Sequence, residues 1–248
     1  MFFSKPGVYP PSGLFTKEHF LLLVITLGLI WLGLIYTSGK SDREVKKIIR
    51  ICTLSLTIPE IIRIVFALTY TPPRDLNGYM PLYFCSLFLY AGFFSSYAKG
   101  FLKRAGDIFL ATGGLVGGII FLIFPSTSLP SFPALHYISI HSFIYHGAMV
   151  YLGILLNSTG YVTLKKNDLV PYATLVGVLC FIDLCLNHIF GSNLMFLSDA
   201  FPGKIGRMLY VSMGRFYPLF LAVIHMFIPF KVIYALKEYR KKKHIQNI

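Results

Sequence analysis

The sequence predicts an all-α membrane protein: one polytopic domain over residues 1–248, a bundle of about seven transmembrane helices, N-terminus outside and C-terminus cytoplasmic. Three observations lead there. Hydrophobic residues make up 55% of the chain and charged ones only 13%, where a soluble domain carries about 25% charged residues. The apolar residues gather into runs of roughly 20, the length that crosses a bilayer as a helix. Lysine and arginine sort into alternate connections. One set holds the clusters from Lys40 to Arg50, Lys99 to Arg104, Lys165 with Lys166, and Lys231 to Lys243. The other holds only Lys5, Lys17, Arg74, Lys204, Arg207 and Arg215. Positive charge marks the cytoplasmic side.

The first span, 19–38, follows a stretch without the short apolar core and cleavage site of a secretory signal. The second, 48–70, carries Glu60 and Arg63, three apart and so on one helix face, next to Pro59. The third, 80–98, starts at Pro81 on the outer side and carries Tyr83 and Cys85. A helix there puts the thiol about 6 Å below Pro81. The fourth, 105–124, contains Gly113, Gly114, Gly117 and Gly118, two overlapping Gly-x-x-x-Gly spacings that let a neighbouring backbone approach. The fifth, 135–156, carries His136 at the interface, His141 about 9 Å in, and His146 near mid-bilayer. Steps of five residues rotate each histidine about 140° from the last. One helix therefore cannot turn all three to a metal, and neither metal nor cofactor is expected.

The sixth span, 169–190, begins near Pro171 and ends with Asp183, Asn187 and His188. The gap 191–214 reads as a re-entrant or surface loop. The seventh, 215–236, starts at Arg215, contains Pro218 and Pro229, and carries His225 about 15 Å in. The basic tail Arg240–Lys243 reads as an anchor to anionic lipid.

Several classes are excluded. The formal net charge of +13 flanks apolar spans instead of forming a basic face on a soluble domain, so nucleic acid is not an expected partner. Cys52, Cys85, Cys180 and Cys185 lie inside apolar runs with no CxxC pair, which argues against zinc ribbons and redox motifs. No internal repeat is evident, which counts against many transporter folds.

Ionisable groups inside a membrane are costly, so each is a functional candidate. On this topology most fall in the outer halves of their spans, which predicts one polar cavity opening outward. Glu60 and Arg63 form either a packing ion pair or a clamp on a polar substrate group. Cys85 becomes a strong nucleophile beside a base, and His141 or His146 supplies one. Ser142, one turn from His146, is a rival nucleophile.

The constellation Pro81-Leu82-Tyr83-Phe84-Cys85, His141-Ser142 with His146, and Phe190-Gly191-Ser192-Asn193 resembles the YwaF family of bacterial membrane proteins, which is related to the animal transmembrane protein 164 acyltransferases. The likeness covers most of the chain. It implies a multi-pass lipid acyltransferase of the bacterial plasma membrane, moving a fatty acyl group between phospholipid and lysophospholipid through a Cys/His acyl-enzyme. Carried over, His141 matches the family histidine of the fifth span and Asn193 the asparagine after the sixth. Cys85 would be the nucleophile. Asn187, Asn193 or Tyr83 would donate to the oxyanion. Glu60, Arg63 and Arg215 would hold the headgroup, with Asp183 on the substrate side. A lipid-ester hydrolase using the same site and a proton-coupled transporter are the alternatives. A homo-oligomer is left open.

Overall fold

Helix starts and stops follow from local capping. In the computed structural model, which describes residues 1–246, α1 (Lys17–Tyr36) begins where Thr16 Oγ1 accepts the His19 N–H. The next helix, α2 (Asp42–Leu68), starts well before its apolar run because the Glu44 carboxylate accepts from both the N–H and the Oγ of Ser41, at 2.9 and 2.8 Å. Such a box satisfies donors that the first helical turn leaves free. After a short 3₁₀ turn at Leu76–Gly78 comes α3 (Leu87–Tyr97). It is followed by α4 (Gly100–Ile123), α5 (Tyr137–Ser158) and α6 (Leu169–Phe190). The last two helices are α7 (Lys204–Met213) and α8 (Tyr217–Gln246). No strand occurs among the described residues.

Among the described residues six helical stretches are long and apolar enough to cross a membrane. The third expected span, 80–98, is the exception. Only 11 residues, Leu87–Tyr97, are helical there, about 16 Å at 1.5 Å per residue, against a hydrocarbon core of about 30 Å. Pro81 has no N–H to give a helix, and side chains from three helices bind the carbonyls around it. The gap 191–214 also differs from a plain loop: it contains α7, which leaves Ile205, Met208 and Val211 exposed. What would be one helix from Lys204 to Lys243 is broken at Gly214, whose φ of 49° and ψ of −129° suit a residue without Cβ.

The core is built around α4 and α5, whose most apolar stretches are 78% and 67% buried, against 17% for α1 and 22% for α2. The glycine face of α4 explains the tight centre. A Cβ on Gly118 would stand 2.9 Å from the His146 carbonyl oxygen of α5, and one on Gly117 3.3 Å from the Phe84 ring. Lower on the same helix, Gly106 lets α4 pass against the backbone of α3, where a Cβ would stand 2.5 Å from Ala91 O and 2.8 Å from Ser95 N. Leu110–Gly114 forms a fully buried turn of π-helix within α4. There Asn157 of α5 donates to Ala111 O at 2.7 Å. Pro171 and Pro218 sit in the first turns of their helices, so only Pro59 and Pro229 interrupt helix interiors.

Ion pairs lock the basic end. Arg104 makes a two-pronged bond to Asp168 and donates to Thr163 O at 2.8 Å. Lys103 Nζ lies 2.6 Å from Asp107, whose other oxygen accepts from Ser95 Oγ at 2.6 Å. Arg104→Ala leaves the nearly buried Asp168 carboxylate without its counter-charge. The expected loss is about 1.5–3 kcal/mol, the range for hydrogen bonds to charged groups. Thermal melting in detergent checks it, and an unchanged midpoint would contradict the assignment.

Candidate functional site

The opposite end is organised around the non-helical backbone that leads into α3. Carbonyls left without partners in an apolar setting cost several kcal/mol each, and here side chains take them one after another. Arg63 donates to Gly78 O and Tyr79 O at 3.5 and 3.2 Å. Tyr83 Oη donates to Asn77 O at 3.4 Å, Tyr90 Oη to Pro81 O at 3.1 Å, and Tyr145 Oη to Cys85 O at 3.1 Å. Cys85 therefore lies in the turn before α3, not a full turn inside a long helix.

Arg63 has a second task on its own helix. Its Nε and one terminal nitrogen both donate to Glu60 Oε1, at 2.9 and 2.7 Å. The i,i+3 pairing read from the sequence is thus present, with the guanidinium directed at Glu60 and two backbone carbonyls. This leaves Glu60 Oε2, which lies 3.5 Å from His141 Nε2.

His141 is the exception among the buried and half-buried histidines of the described residues. His19 accepts the Phe15 N–H and donates to Leu122 O. His136 accepts the Ile138 N–H and donates to Ser4 O. It is fully buried. His146 Nδ1 donates to Ser142 O at 2.7 Å, and its ring stacks on Phe121 at 3.6 Å. His225 Nδ1 donates to Leu221 O. His141 is 5% exposed, and neither of its ring nitrogens has a hydrogen-bond partner. Tyr137 and Tyr145, one turn before and after it, flank the ring at 5.8 Å each. The Tyr137 hydroxyl is fixed by Pro59 O at 2.6 Å. The i,i+4 spacing of Tyr137, His141 and Tyr145 was the sequence signal for this stack, and the sequence reading passed over it.

The other expected residues are distributed as follows. Tyr145 bridges Cys85 and the histidines: its hydroxyl meets the Cys85 carbonyl and its ring lies 5.8 Å from His141 and 5.5 Å from His146. Among the described residues no hydrogen bond joins the Cys85 thiol to a histidine. Tyr83 packs its ring 5.6 Å from Phe196. Asp183 is fully buried with no partner for either oxygen.

Asn187 mimics a peptide, donating to Leu194 O and accepting the Leu194 N–H at 3.0 and 2.7 Å. Asn193 accepts from Ser198 N and Asp199 N, and its own N–H meets Asn77 Oδ1 at 2.7 Å. These bonds hold a loop in which Met195 and Phe196 have φ of 52° and 58°, a conformation that stores strain in residues with a Cβ. Arg215 is exposed beside a cavity of about 530 Å³ that it shares with Tyr210 and Pro218. No bond connects it to Glu60 or Arg63. The polar residues thus share one end of the bundle, but around Asp183 and His141 they are sealed in rather than opening as a cleft. No three His, Cys, Asp or Glu side chains gather as metal ligands among the described residues.

The model of the TMEM164 family matches residues 14–234, from just before α1 into α8. No curated protein and no solved structure matches the chain.

Proposed function

We propose, from the premise that the chain belongs to the TMEM164 family, that this multi-pass membrane protein transfers fatty acyl groups between membrane lipids at His141. One observation carries the reading: a buried imidazole with both nitrogens unbonded and a carboxylate oxygen 3.5 Å from Nε2. Packing histidines are hydrogen-bonded, as His19, His136, His146 and His225 are; an unbonded buried polar group needs another explanation. Glu60 Oε2 favours the tautomer with the proton on Nε2, which leaves Nδ1 as the basic lone pair.

In the proposed cycle the Cys85 thiol gives its proton to His141, and the thiolate attacks the ester carbonyl of a phospholipid. The carbon–oxygen bond breaks. The lysophospholipid oxygen leaves with the proton held on His141, and a thioester remains on Cys85. A second lysophospholipid hydroxyl passes its proton to His141 and attacks the thioester, and the returning thiolate is reprotonated. Tyr145, touching both partners, is the side chain that must yield as thiol and imidazole meet. Asn187 and Asn193 each retain an amide hydrogen for the oxyanion, whereas Tyr83 has committed its only one. His146, tied to Ser142 O, supports the fold of α5. On this reading the chain sits with the YwaF branch, in a bacterial plasma membrane.

The test is acyl exchange in liposomes containing donor phospholipid and labelled lysophospholipid, with mass analysis of the protein. The expected result is a thioester adduct that disappears in Cys85→Ala and persists in Ser142→Ala. Free fatty acid without new diacyl lipid would make the enzyme a hydrolase. An adduct lost only in Ser142→Ala would move the nucleophile, and neither product nor adduct would overturn the reading. Asp183 supports a second reading, proton-coupled transport, because a carboxyl without a partner inside a membrane suits proton exchange. Proton-driven uptake that is abolished in Asp183→Asn would favour it.

A further inference from the structure

A groove of about 640 Å³ lies between α6 and α8, lined by Leu169, Ala173, Gly177 and Phe181 on one side and Met226 and Phe227 on the other. It opens at the basic end of the bundle and runs along α6 as far as Phe181, and His141 is not part of its lining. Its apolar wall runs twelve residues along α6, about 18 Å, close to the depth of one leaflet of a core about 30 Å thick. Gly177 keeps the floor low: a Cβ there would stand 3.1 Å from Met226 Cε.

The mouth is cationic. Lys165 and Lys166 are exposed just before Leu169, and Lys231 Nζ lies 5.6 Å from the ring centre of Phe227. No carboxylate pairs with the ammonium group of any of these three among the described residues, whereas the neighbouring Lys103 and Arg104 are paired with Asp107 and Asp168.

We infer that this groove is a binding site for one anionic phospholipid of the leaflet at the basic end. An acyl chain fills the apolar wall, and the phosphate is held by Lys231 with Lys165 and Lys166. Two exposed lysines just before Leu169 and one a turn beyond Phe227, at the basic end of an apolar slot one leaflet deep, fit that amphiphile in both charge and length. A second copy of the chain is a poorer occupant. A two-fold contact presents each patch to itself, which sets the lysines of one copy against those of the other. The lipid is not the acyl donor. Its esters lie beside its headgroup, and along α6 the mouth is about 21 Å from Asp183 and the polar end. The site is therefore structural or regulatory, and it stands whether or not the acyl-transfer reading does.

The experiment is native mass spectrometry of the full chain released from vesicles of phosphatidylglycerol and phosphatidylcholine. The expected wild-type spectrum shows one retained phosphatidylglycerol. Gly177→Leu, which fills the slot by displacing only the flexible end of Met226, abolishes retention. Lys231→Glu weakens it by about tenfold or more, since the change removes a cation from beside the phosphate and puts an anion in its place. Met226→Ala widens the slot and keeps the lipid. Melting midpoints in lipid-free detergent confirm that the variants are folded. Equal retention in Gly177→Leu and wild type, retention of phosphatidylcholine in preference, or a dimer that Gly177→Leu dissociates would each overturn the inference.

Discussion

His141→Ala is expected to lower acyl exchange by about 10²–10⁴-fold, the usual contribution of a positioned general base, while the protein stays folded and loses only the packing between Tyr137 and Tyr145. The two halves of that expectation share one cause. His141 makes no hydrogen bond, so its removal orphans no partner; His19, His136 or His146 would each release a bonded backbone group. His146→Ala should therefore show the opposite pattern, with lost stability from the broken Ser142 bond and the emptied face of Phe121. Glu60→Gln lowers exchange by a smaller factor, because Arg63 keeps an acceptor but the imidazole loses its anionic neighbour. Parallel rate and melting measurements decide the matter. An active His141→Ala, or one that fails only by unfolding, would remove His141 from the chemistry.

Gly106→Leu is expected to cost about 3 kcal/mol or more, at or beyond the upper end of overpacking penalties. At about 2–4 °C per kcal/mol for a chain of this size, the melting midpoint falls by roughly 6–12 °C. The atoms in the way are Ala91 O and Ser95 N. They belong to the α3 backbone, which cannot rotate aside as a side chain does. Shifting α3 would also disturb Ser95, which donates to Asp107, and the turn that carries Cys85. Gly28→Ala is the control: no atom lies within 4 Å of a Cβ there, and alanine in a helix gains about 0.5–1 kcal/mol over glycine. Similar midpoints for the two variants would show that α3 and α4 are not in close backbone contact.

What was legible from sequence alone follows from local periodicity. Length and hydropathy set the helical class and placed α6 at Leu169–Phe190, the observed ends. Three-residue spacing put Glu60 and Arg63 on one face, and five-residue spacing turned His146 away from His141. The glycine spacing of α4 implied a close neighbour, and the His146 carbonyl of α5 is that neighbour. Each of these is a property of one helix and its 3.6-residue repeat.

The tertiary structure decided what depends on the rotation and depth of one helix against another. Nothing within residues 80–98 announced that helix would begin only at Leu87, because the partners that satisfy the carbonyls before it, Arg63 and Tyr145, come from α2 and α5. No spacing rule links Glu60 to His141, yet the packing of α2 on α5 sets them 3.5 Å apart. Nothing in the sequence shows that Asn187 and Asn193 each spend one amide hydrogen and the side-chain oxygen on the loop that follows α6. The sequence thus determined a membrane bundle with a polar end. The packing decided that this end is a closed assembly in which one buried histidine, His141, is left without a hydrogen bond among the described residues.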